Sequence, residues 1–227
     1  MDKEEKKTAS EKFSAWLVKY RFVLIGIIGA IIVCAVVIGI IIGVDKSNRE
    51  KGFAALDEIE TSYTEMISNE DLDADGRAEK VATFRDEAAA LTGKGAVGSR
   101  AYMLLADIEF YEKNYDDAIA AWLSSIEANP AAYTSSLALY NIAISYEEKG
   151  DIDNAIAYLL KTVDEKSFPL KSRALFNAGR LEEGRGNYTA AVDYYTQVND
   201  DFAGDSWANF AMNRIITLEA EGKVKAN

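Results

Sequence analysis

Three segments of the sequence share one pattern at nearly constant spacing, and this repeat constrains the fold more than any other feature. They read KNYDDAIAAWLSSI from Lys113, GDIDNAIAYLLKTV from Gly150 and GNYTAAVDYYTQVN from Gly186. Equivalent alanines recur 37 and 36 residues apart, at Ala118, Ala155 and Ala191. A repeat of this length predicts stacked units, each of which buries its apolar face against its neighbours.

Small and bulky residues are placed within each unit as two packed helices require. A bulky side chain follows each alanine by four residues, at Trp122, Leu159 and Tyr195, and a smaller one comes three residues later, at Ser125, Thr162 and Val198. The preceding stretch of each unit carries small residues at corresponding places, at Leu105-Ala106, Ile142-Ala143 and Ala178-Gly179. Small residues let two helices approach closely while a large one fills the next layer. The pattern therefore predicts antiparallel helical hairpins.

The turns inside these hairpins are predicted at Lys113-Asn114, Gly150-Asp151 and Gly186-Asn187. Such residues tolerate a left-handed backbone or cap the next helix.

These residues closely resemble the tetratricopeptide repeat (TPR) family, whose unit of about 34 residues is a pair of antiparallel helices. Ala106, Ala118, Trp122 and Pro130 match its small, small, aromatic and proline positions. The resemblance covers about Gly98 to Val198. Because units two and three are longer and lack the proline at its usual place, we expect the connections between units to be stretched.

Two weaker segments flank the repeats. Lys46 to Ser68 and Arg77 to Leu91 read as a degenerate helical hairpin. Trp207, Phe210, Ala211, Ile215 and Leu218 predict an amphipathic helix that caps the last repeat.

The uncharged run from Val23 to Val44 predicts a transmembrane helix. It would be roughly 33 Å long, which matches the hydrocarbon core of a bilayer. Just before it, Phe13, Trp16, Leu17 and Tyr20 fall at helical spacing beside basic residues. This favours an interfacial aromatic anchor, with contact to a specific partner as the alternative.

Basic residues are more frequent before this run than after it. Six precede it, whereas only Lys46, Arg49 and Lys51 follow it closely, so the positive-inside rule predicts a cytoplasmic N-terminus and an exported C-terminal domain. Inside the run, Ala35, Gly39 and Gly43 recur every four residues. This stripe predicts packing against a partner helix or a second copy, hence a possible homo-oligomer, with ordinary membrane-helix composition as the alternative.

The expected fold is therefore all-α: an N-terminal transmembrane helix, then a TPR-like α-solenoid of antiparallel helical hairpins with a C-terminal capping helix. The predicted organisation is a cytoplasmic basic and aromatic tail at 1–22, the transmembrane helix at 23–44, the degenerate hairpin at 45–97, three repeats at 98–203, and the capping helix with a tail at 204–227.

Composition argues against catalysis and against nucleic-acid binding. The chain has 25 basic and 37 acidic residues, no histidine, and one cysteine, Cys34, inside the apolar run. Serine–histidine–aspartate triads, cysteine–histidine dyads and zinc sites of cysteine and histidine are excluded. An acidic domain repels phosphate backbones. We expect no catalytic residue, no cofactor and no metal.

The TPR resemblance implies that the first helix of each hairpin lines the inner face of a curved array. A groove that mixes aromatic and aliphatic side chains with a few arginines suits an extended or unfolded polypeptide. For any single residue, core packing or a solvated face is the alternative. The predicted groove residues are Arg100, Met103, Asp107, Phe110, Tyr111, Leu137, Tyr140, Ile144, Glu147, Arg173, Phe176, Arg180 and Glu183.

The sequence argues against two specific ligands for the exported domain. The resemblance includes a carboxylate clamp in some chaperone-binding members, but Asp107 stands where that clamp has an asparagine and would repel a carboxylate. Asp71, Asp73, Asp75 and Gly76 match the start of a calcium loop, but position twelve is Ala82 rather than glutamate. We therefore favour an acidic surface turn over a calcium site.

One N-terminal anchor followed by a short TPR domain is similar to a family of bacterial inner-membrane proteins that associate with the Sec translocon and periplasmic chaperones. The resemblance implies a single-pass scaffold, with its C-terminal domain in the periplasm, that binds exported polypeptides beside the secretion channel. The alternative is a TPR scaffold for envelope assembly or cell division with one fixed partner.

Overall fold

The computed structural model describes residues 9–69, 72–165 and 168–225, and all regular structure within these ranges is helical. The all-α prediction is confirmed. The chain divides between Lys51 and Gly52 into two compact units, which are described separately. The helices are α1 (Ala9–Ile67), α2 (Ala74–Ala90), α3 (Gly95–Tyr111), α4 (Tyr115–Ala128), α5 (Thr134–Glu148), α6 (Ile152–Asp164), α7 (Lys171–Gly184), α8 (Tyr188–Asp201) and α9 (Ser206–Ala220).

The first unit contains the apolar run, which lies within α1. Among the described residues, this is the one helix that is long and apolar enough to cross a membrane, with a mean hydropathy of 3.2 and none of its most apolar window buried. The rings of Phe13 and Trp16 stack with centroids 6.1 Å apart, and Trp16 lies 5.5 Å from Tyr20. This cluster has the composition of an interfacial anchor.

The small-residue stripe of α1 is open in this structure. A methyl group added to Gly39 or Gly43 would meet no described atom within 4 Å. Both glycines therefore leave room for a close helix approach, and packing there against a partner or a second copy stays a prediction.

The second unit stacks the predicted hairpins α3–α4, α5–α6 and α7–α8. The residues that the repeat pattern places between the helices, which form the seams, are buried. Within each pair, a small residue on one helix lets a bulky one on the other fill the adjoining layer. The buried seam residues are Ala118, Trp122 and Ser125, then Ala155, Leu159 and Thr162, then Ala191, Tyr195 and Val198.

The hairpin turns use a left-handed backbone, as predicted. Lys113, Gly150 and Gly186 have φ angles of 63°, 78° and 85°. Of the residues that follow them, Asp151 caps the next helix by accepting a hydrogen bond from the Asn154 N–H at 3.2 Å. The side-chain amides of Asn114 and Asn187 cap nothing and instead donate to glutamates of the preceding helix.

These glutamates tie each turn to neighbouring structure. Glu109 accepts from Asn114 at 2.8 Å and from Arg85 of α2, whose second nitrogen lies 3.0 Å away. Burial alone would raise the pKa of Glu109, but the hydrogen bonds from Arg85 and Asn114 outweigh it and hold the pKa below its usual value. This network attaches α2 to the first repeat.

The flanking elements complete the core of the second unit. Leu56, Ile59 and Tyr63 of α1 form one cluster with residues of α2 and α3. At the other end, Ala211 and Leu218 of α9 are buried against α7 and α8, as expected of a capping helix. The connection before α7 is long, and Phe168 within it is buried beside the Tyr140 ring at 5.8 Å.

Candidate protein-binding groove

Three adjoining cavities in the second unit share Asp107 of α3, and together we call them the central groove. The first, of about 200 Å³, lies between α1, α3 and the start of α5. The second, of about 210 Å³, lies between α3 and α5 and is floored by Trp122 of α4. The third, of about 450 Å³, is bordered by Tyr63, Tyr111 and Glu148. The first two volumes are below those of ordinary small-molecule pockets and fit single side chains of a bound polypeptide.

Asp107 has no hydrogen-bond or ion-pair partner among the described residues. Its side chain is open to solvent, yet the groove walls displace much of the water around it. This desolvation, together with repulsion from Glu60, raises the pKa of Asp107 to about 7. The carboxylate is therefore an uncompensated acceptor placed where all three cavities meet.

Ion pairs close the corresponding seams elsewhere in the solenoid. Arg180 of α7 donates to both carboxylate oxygens of Glu147 on α5, at 2.8 and 2.7 Å. Arg214 of α9 pairs in the same way with Glu183 on α7, with one N–O distance of 3.1 Å. Because each cation is neutralised within the chain, these seams offer a partner little free charge.

The seam between α3 and α5 departs from this arrangement. The repeat spacing aligns Phe110 with Glu147 and Glu183, and it aligns Asp107 and Ile144 with Arg180. Phe110 and Ile144 cannot form an ion pair, and the second cavity opens between them. The second cavity thus lies where the other two seams have an ion pair, and Asp107, which borders it, pairs with no cation among the described residues.

The first cavity is polar on one side and apolar on the other. Arg100 lies between Asp57 and Glu60 of α1, at 2.7 and 2.6 Å, so its charge is used inside the domain. Leu137 lines the opposite wall and Tyr133 projects beside it. Met103 also lines this cavity but is only 9% exposed.

The third cavity is aromatic. Tyr111, 44% exposed, accepts a hydrogen bond from Arg77 at 3.1 Å and packs edge-on against Tyr63. The Tyr115 hydroxyl lies 3.4 Å from Glu148. Burial, with the nearby charges of Glu112 and Asp107 and the Tyr111 phenol, raises the pKa of Tyr63. An aromatic wall beside carboxylates suits apolar and cationic side chains.

Two donors below the groove have no acceptor within the described ranges. They are the indole N–H of Trp122 and the hydroxyl of Tyr63, both buried. Trp122 lines the second cavity and Tyr63 lines the third. Buried donors in native proteins are rarely left unpaired, so these two distinguish this part of the domain from the rest of its core.

Two predicted groove residues on α5, Tyr140 and Glu147, and all of those on α7 lie beyond the central groove. Tyr140 is only 4% exposed and its hydroxyl accepts from Asn177 at 2.7 Å. Arg173 lies over the rings of Tyr140 and Trp207, at 5.6 and 5.7 Å, and Phe176 packs at 5.1 Å from Trp207. The structure thus brings Arg100, Met103, Asp107, Phe110, Tyr111, Leu137 and Ile144 together and sets Glu147, Arg173, Phe176, Arg180 and Glu183 along other seams.

Trp122 lines the second cavity, together with Asn141, although the sequence pattern did not place Trp122 there. Trp122 belongs to the second helix of its hairpin and matches the aromatic position of the repeat. The one sequence signal for this cavity is that Phe110 and Ile144 stand where the other repeats have a glutamate and an arginine. Without that ion pair, the Trp122 ring borders an open cavity.

The acidic turn before α2 is partly outside the described residues, which exclude Asp71. Asp73 is the N-cap of α2, and its side chain accepts from the Gly76 N–H at 2.8 Å. This role accounts for Asp73 and Gly76 without a calcium ion.

Comparison with family models matches two parts of the chain. Residues 137–206 match a model described as tetratricopeptide repeat, and residues 105–167 match a domain of unknown function, DUF6340. The two matches overlap from residue 137 to residue 167, and the tetratricopeptide model covers the second and third hairpins.

One curated protein and several solved structures are similar to parts of this chain. A TPR repeat-containing protein of Treponema pallidum (strain Nichols) is 30% identical over 118 residues, which are 52% of this chain and 49% of that protein. The match thus spans about half the length of this relative. Nearly identical TPR-like repeats from Podosopora anserina superpose with a TM-score of 0.51 at 13% identity, covering 77% of this chain and 87% of theirs. MamA is 25% identical with a TM-score of 0.43, covering 56% and 67%.

Proposed function

We propose that this chain, whose residues 137–206 match the tetratricopeptide repeat model, is a membrane-anchored protein-interaction scaffold that binds exported polypeptides through the central groove. The observation that carries the proposal is the groove itself. It is an open, aromatic-walled channel with an unpaired carboxylate, built on rigid helices.

The groove has features that favour a peptide over a small substrate. Its cavities adjoin one another rather than forming one enclosed pocket, and each is bordered by apolar or aromatic side chains. Interface hot spots are enriched in such aromatics. We therefore propose that the central groove binds polypeptides and catalyses no reaction.

The apolar run of α1 supports membrane anchoring. A tether keeps the domain near the membrane and raises the effective concentration of a weakly binding groove beside its partners. From this run and the charge bias around it, we infer that the protein crosses a bacterial inner membrane once, with its N-terminus in the cytoplasm and its repeats in the periplasm.

We further propose that this scaffold is an ancillary factor of the Sec translocon and the periplasmic chaperone network. The support is the architecture, one anchor followed by a short repeat domain, which is similar to that of proteins with this role. A position beside the channel would let the groove receive polypeptides as they emerge.

Site-specific crosslinking tests the groove. We expect a photoreactive benzophenone amino acid at Tyr111 to capture many exported polypeptides and channel subunits in living cells. The matched control is the same amino acid at Leu123 on α4, which is 39% exposed but lines none of the three cavities. Mass spectrometry would identify the products. A single stoichiometric partner would favour the assembly scaffold, and equal capture at both positions would contradict the groove.

Cysteine labelling tests the topology, because Cys34 is the only cysteine in the sequence. In a Cys34→Ser background, we expect a membrane-impermeant maleimide to label Thr189→Cys in spheroplasts and to label Ser10→Cys only after permeabilisation. Both side chains are exposed in the structure. The reverse pattern would contradict the orientation, and complete extraction of the protein by alkaline carbonate would contradict the anchor.

A further inference from the structure

The central groove carries a charge that the domain does not neutralise. At the seams between α5 and α7 and between α7 and α9, arginine and glutamate pair within the chain. At the seam between α3 and α5, the equivalent positions hold Phe110 and Ile144, and Asp107 beside them has no partner among the described residues. The groove is therefore complementary to a cation that comes from outside.

The space beside Asp107 is complementary to an apolar side chain. Phe110 and Ile144 form the two walls of the second cavity and Trp122 forms its floor. Its volume of about 210 Å³ suits one large side chain and is below the size of ordinary small-molecule pockets. Asp107 borders the same cavity, so one occupant could present a large apolar residue and a cation side by side.

We propose that the central groove binds an extended polypeptide segment in which a lysine or arginine is adjacent to a large apolar residue, with the apolar side chain between Phe110 and Ile144 and the cation at Asp107. This inference rests on the proposed function and names its ligand class. A main-chain carbonyl of such a segment would supply an acceptor of the kind that the buried Trp122 N–H lacks.

The surrounding charges favour the same ligand. Those that share a cavity with Asp107 are Glu60 and Arg100, which pair with each other, together with Glu148 and Lys113. The phenols around it are Tyr63, Tyr111, Tyr115 and Tyr133. The cation Arg100 is neutralised by Asp57 and Glu60, and the chain as a whole has a net charge of −12. Electrostatic attraction therefore speeds the approach of basic segments and disfavours acidic ones.

The affinity of this ligand will depend on pH in a defined way. Desolvation and Glu60 hold the pKa of Asp107 at about 7 in the free protein. A bound cation requires the ionised carboxylate, so affinity is full only well above pH 7 and falls through pH 7 as the carboxyl takes up its proton. Between pH 8 and pH 6 we expect a loss of up to about tenfold. The chain has no histidine, and lysine, arginine and tyrosine side chains ordinarily stay protonated across this window.

The test uses the full chain in nanodiscs of uncharged lipid and four fluorescent peptides that differ at one dipeptide: Phe-Lys, Phe-Gln, Phe-Glu and Ala-Lys. By fluorescence anisotropy at pH 8, we expect Phe-Lys to bind about tenfold more tightly than Phe-Gln, with Phe-Glu and Ala-Lys weakest. Equal affinities for Phe-Lys and Phe-Gln would overturn the proposal.

Two groove variants and one control variant test the role of the Asp107 charge. We expect the near-isosteric Asp107→Asn to abolish both the preference for Phe-Lys and its pH dependence, whereas Asp193→Asn, an exposed aspartate on α8, leaves them unchanged. Ile144→Arg should abolish binding, because it places an internal cation beside Asp107 and fills the cavity. Undiminished Phe-Lys binding by either groove variant would overturn the proposal.

Failure here can be told apart from failure of the proposed function. If Tyr111 still captures exported polypeptides in cells while the Phe-Lys peptide shows no preference, the ligand class is wrong and the groove remains a polypeptide site. If neither result is obtained, the groove assignment itself fails.

Discussion

Trp122→Ala is expected to lower the free energy of unfolding by about 3–5 kcal/mol, as is usual when a buried aromatic is truncated in a core. Trp122 is 2% exposed and packs among Ala106, Ala118 and Ile142 in one apolar cluster. The second cavity lies directly above it, so the space left by the indole would join an existing cavity. Since a domain has only about 5–15 kcal/mol of stability, this loss should bring it close to unfolding.

The indole N–H lowers the expected loss of stability within this range. It is buried without an acceptor among the described residues, which costs roughly 1–3 kcal/mol that the truncation removes. We therefore expect a value near the lower end, about 3 kcal/mol, measured by urea denaturation followed by circular dichroism. Trp122→Phe, which keeps most of the ring and removes the donor, should cost clearly less.

Tyr133→Ala is the control, because Tyr133 is 80% exposed at the edge of the groove. Exposed substitutions of this kind usually change stability by no more than about 0.5 kcal/mol. A loss below about 1 kcal/mol for Trp122→Ala would mean that the repeat seam is not the main source of stability.

The hairpins were predictable because their packing is local in sequence. Alanine at 118, 155 and 191 faces the preceding helix, and the bulky residue four positions later falls on the same face one turn on. Three units repeat these choices, so the pattern is visible without coordinates. The left-handed turns at Gly150 and Gly186 were predictable for a similar local reason, because glycine adopts a positive φ without a steric penalty.

The groove was less predictable because its details depend on register between helices that are distant in sequence. The pattern marked one face of α3, α5 and α7, but it could not show that Arg180 would meet Glu147 or that Arg100 would meet Glu60. Each such contact joins two different hairpins. The same limit hid Trp122, whose helical position suggests core packing alone.

Asp107 shows what the structure adds to the sequence. From sequence it was one of the predicted groove residues, and it argued against a carboxylate ligand by repulsion. The structure shows in addition that Asp107 has no partner among the described residues, borders three cavities and is desolvated enough to raise its pKa to about 7. A residue that first served to exclude a ligand thereby becomes the strongest indication of one.

Gly179→Leu is expected to destabilise the domain by about 3 kcal/mol, at the upper end of overpacking effects. Gly179 is buried on α7 where the other repeats have Ala106 and Ala143. Even a bare Cβ at this position would lie 2.7 Å from Tyr195 Cε1, closer than nonbonded carbons approach. Glycine is needed here because the opposing residue is the ring of Tyr195.

The ring has little freedom to move away. Its hydroxyl donates to Glu183 at 2.9 Å, and Glu183 is paired with Arg214. On its other side, the centroid of Phe176 lies 5.3 Å away. The clash must therefore shift α7 against α8 or break the link to α9, and either change opens the seam that seals the last repeat.

Gly184→Leu is the matched control, since Gly184 ends the same helix and an added methyl there would meet no described atom within 4 Å. It should leave stability unchanged or raise it slightly, because leucine favours helix over glycine by up to about 1 kcal/mol. Adding Tyr195→Ala to Gly179→Leu should cost less than the sum of the two single changes, as a double-mutant cycle would measure. Strict additivity would contradict the contact, because it would mean that the two positions do not compete for one space.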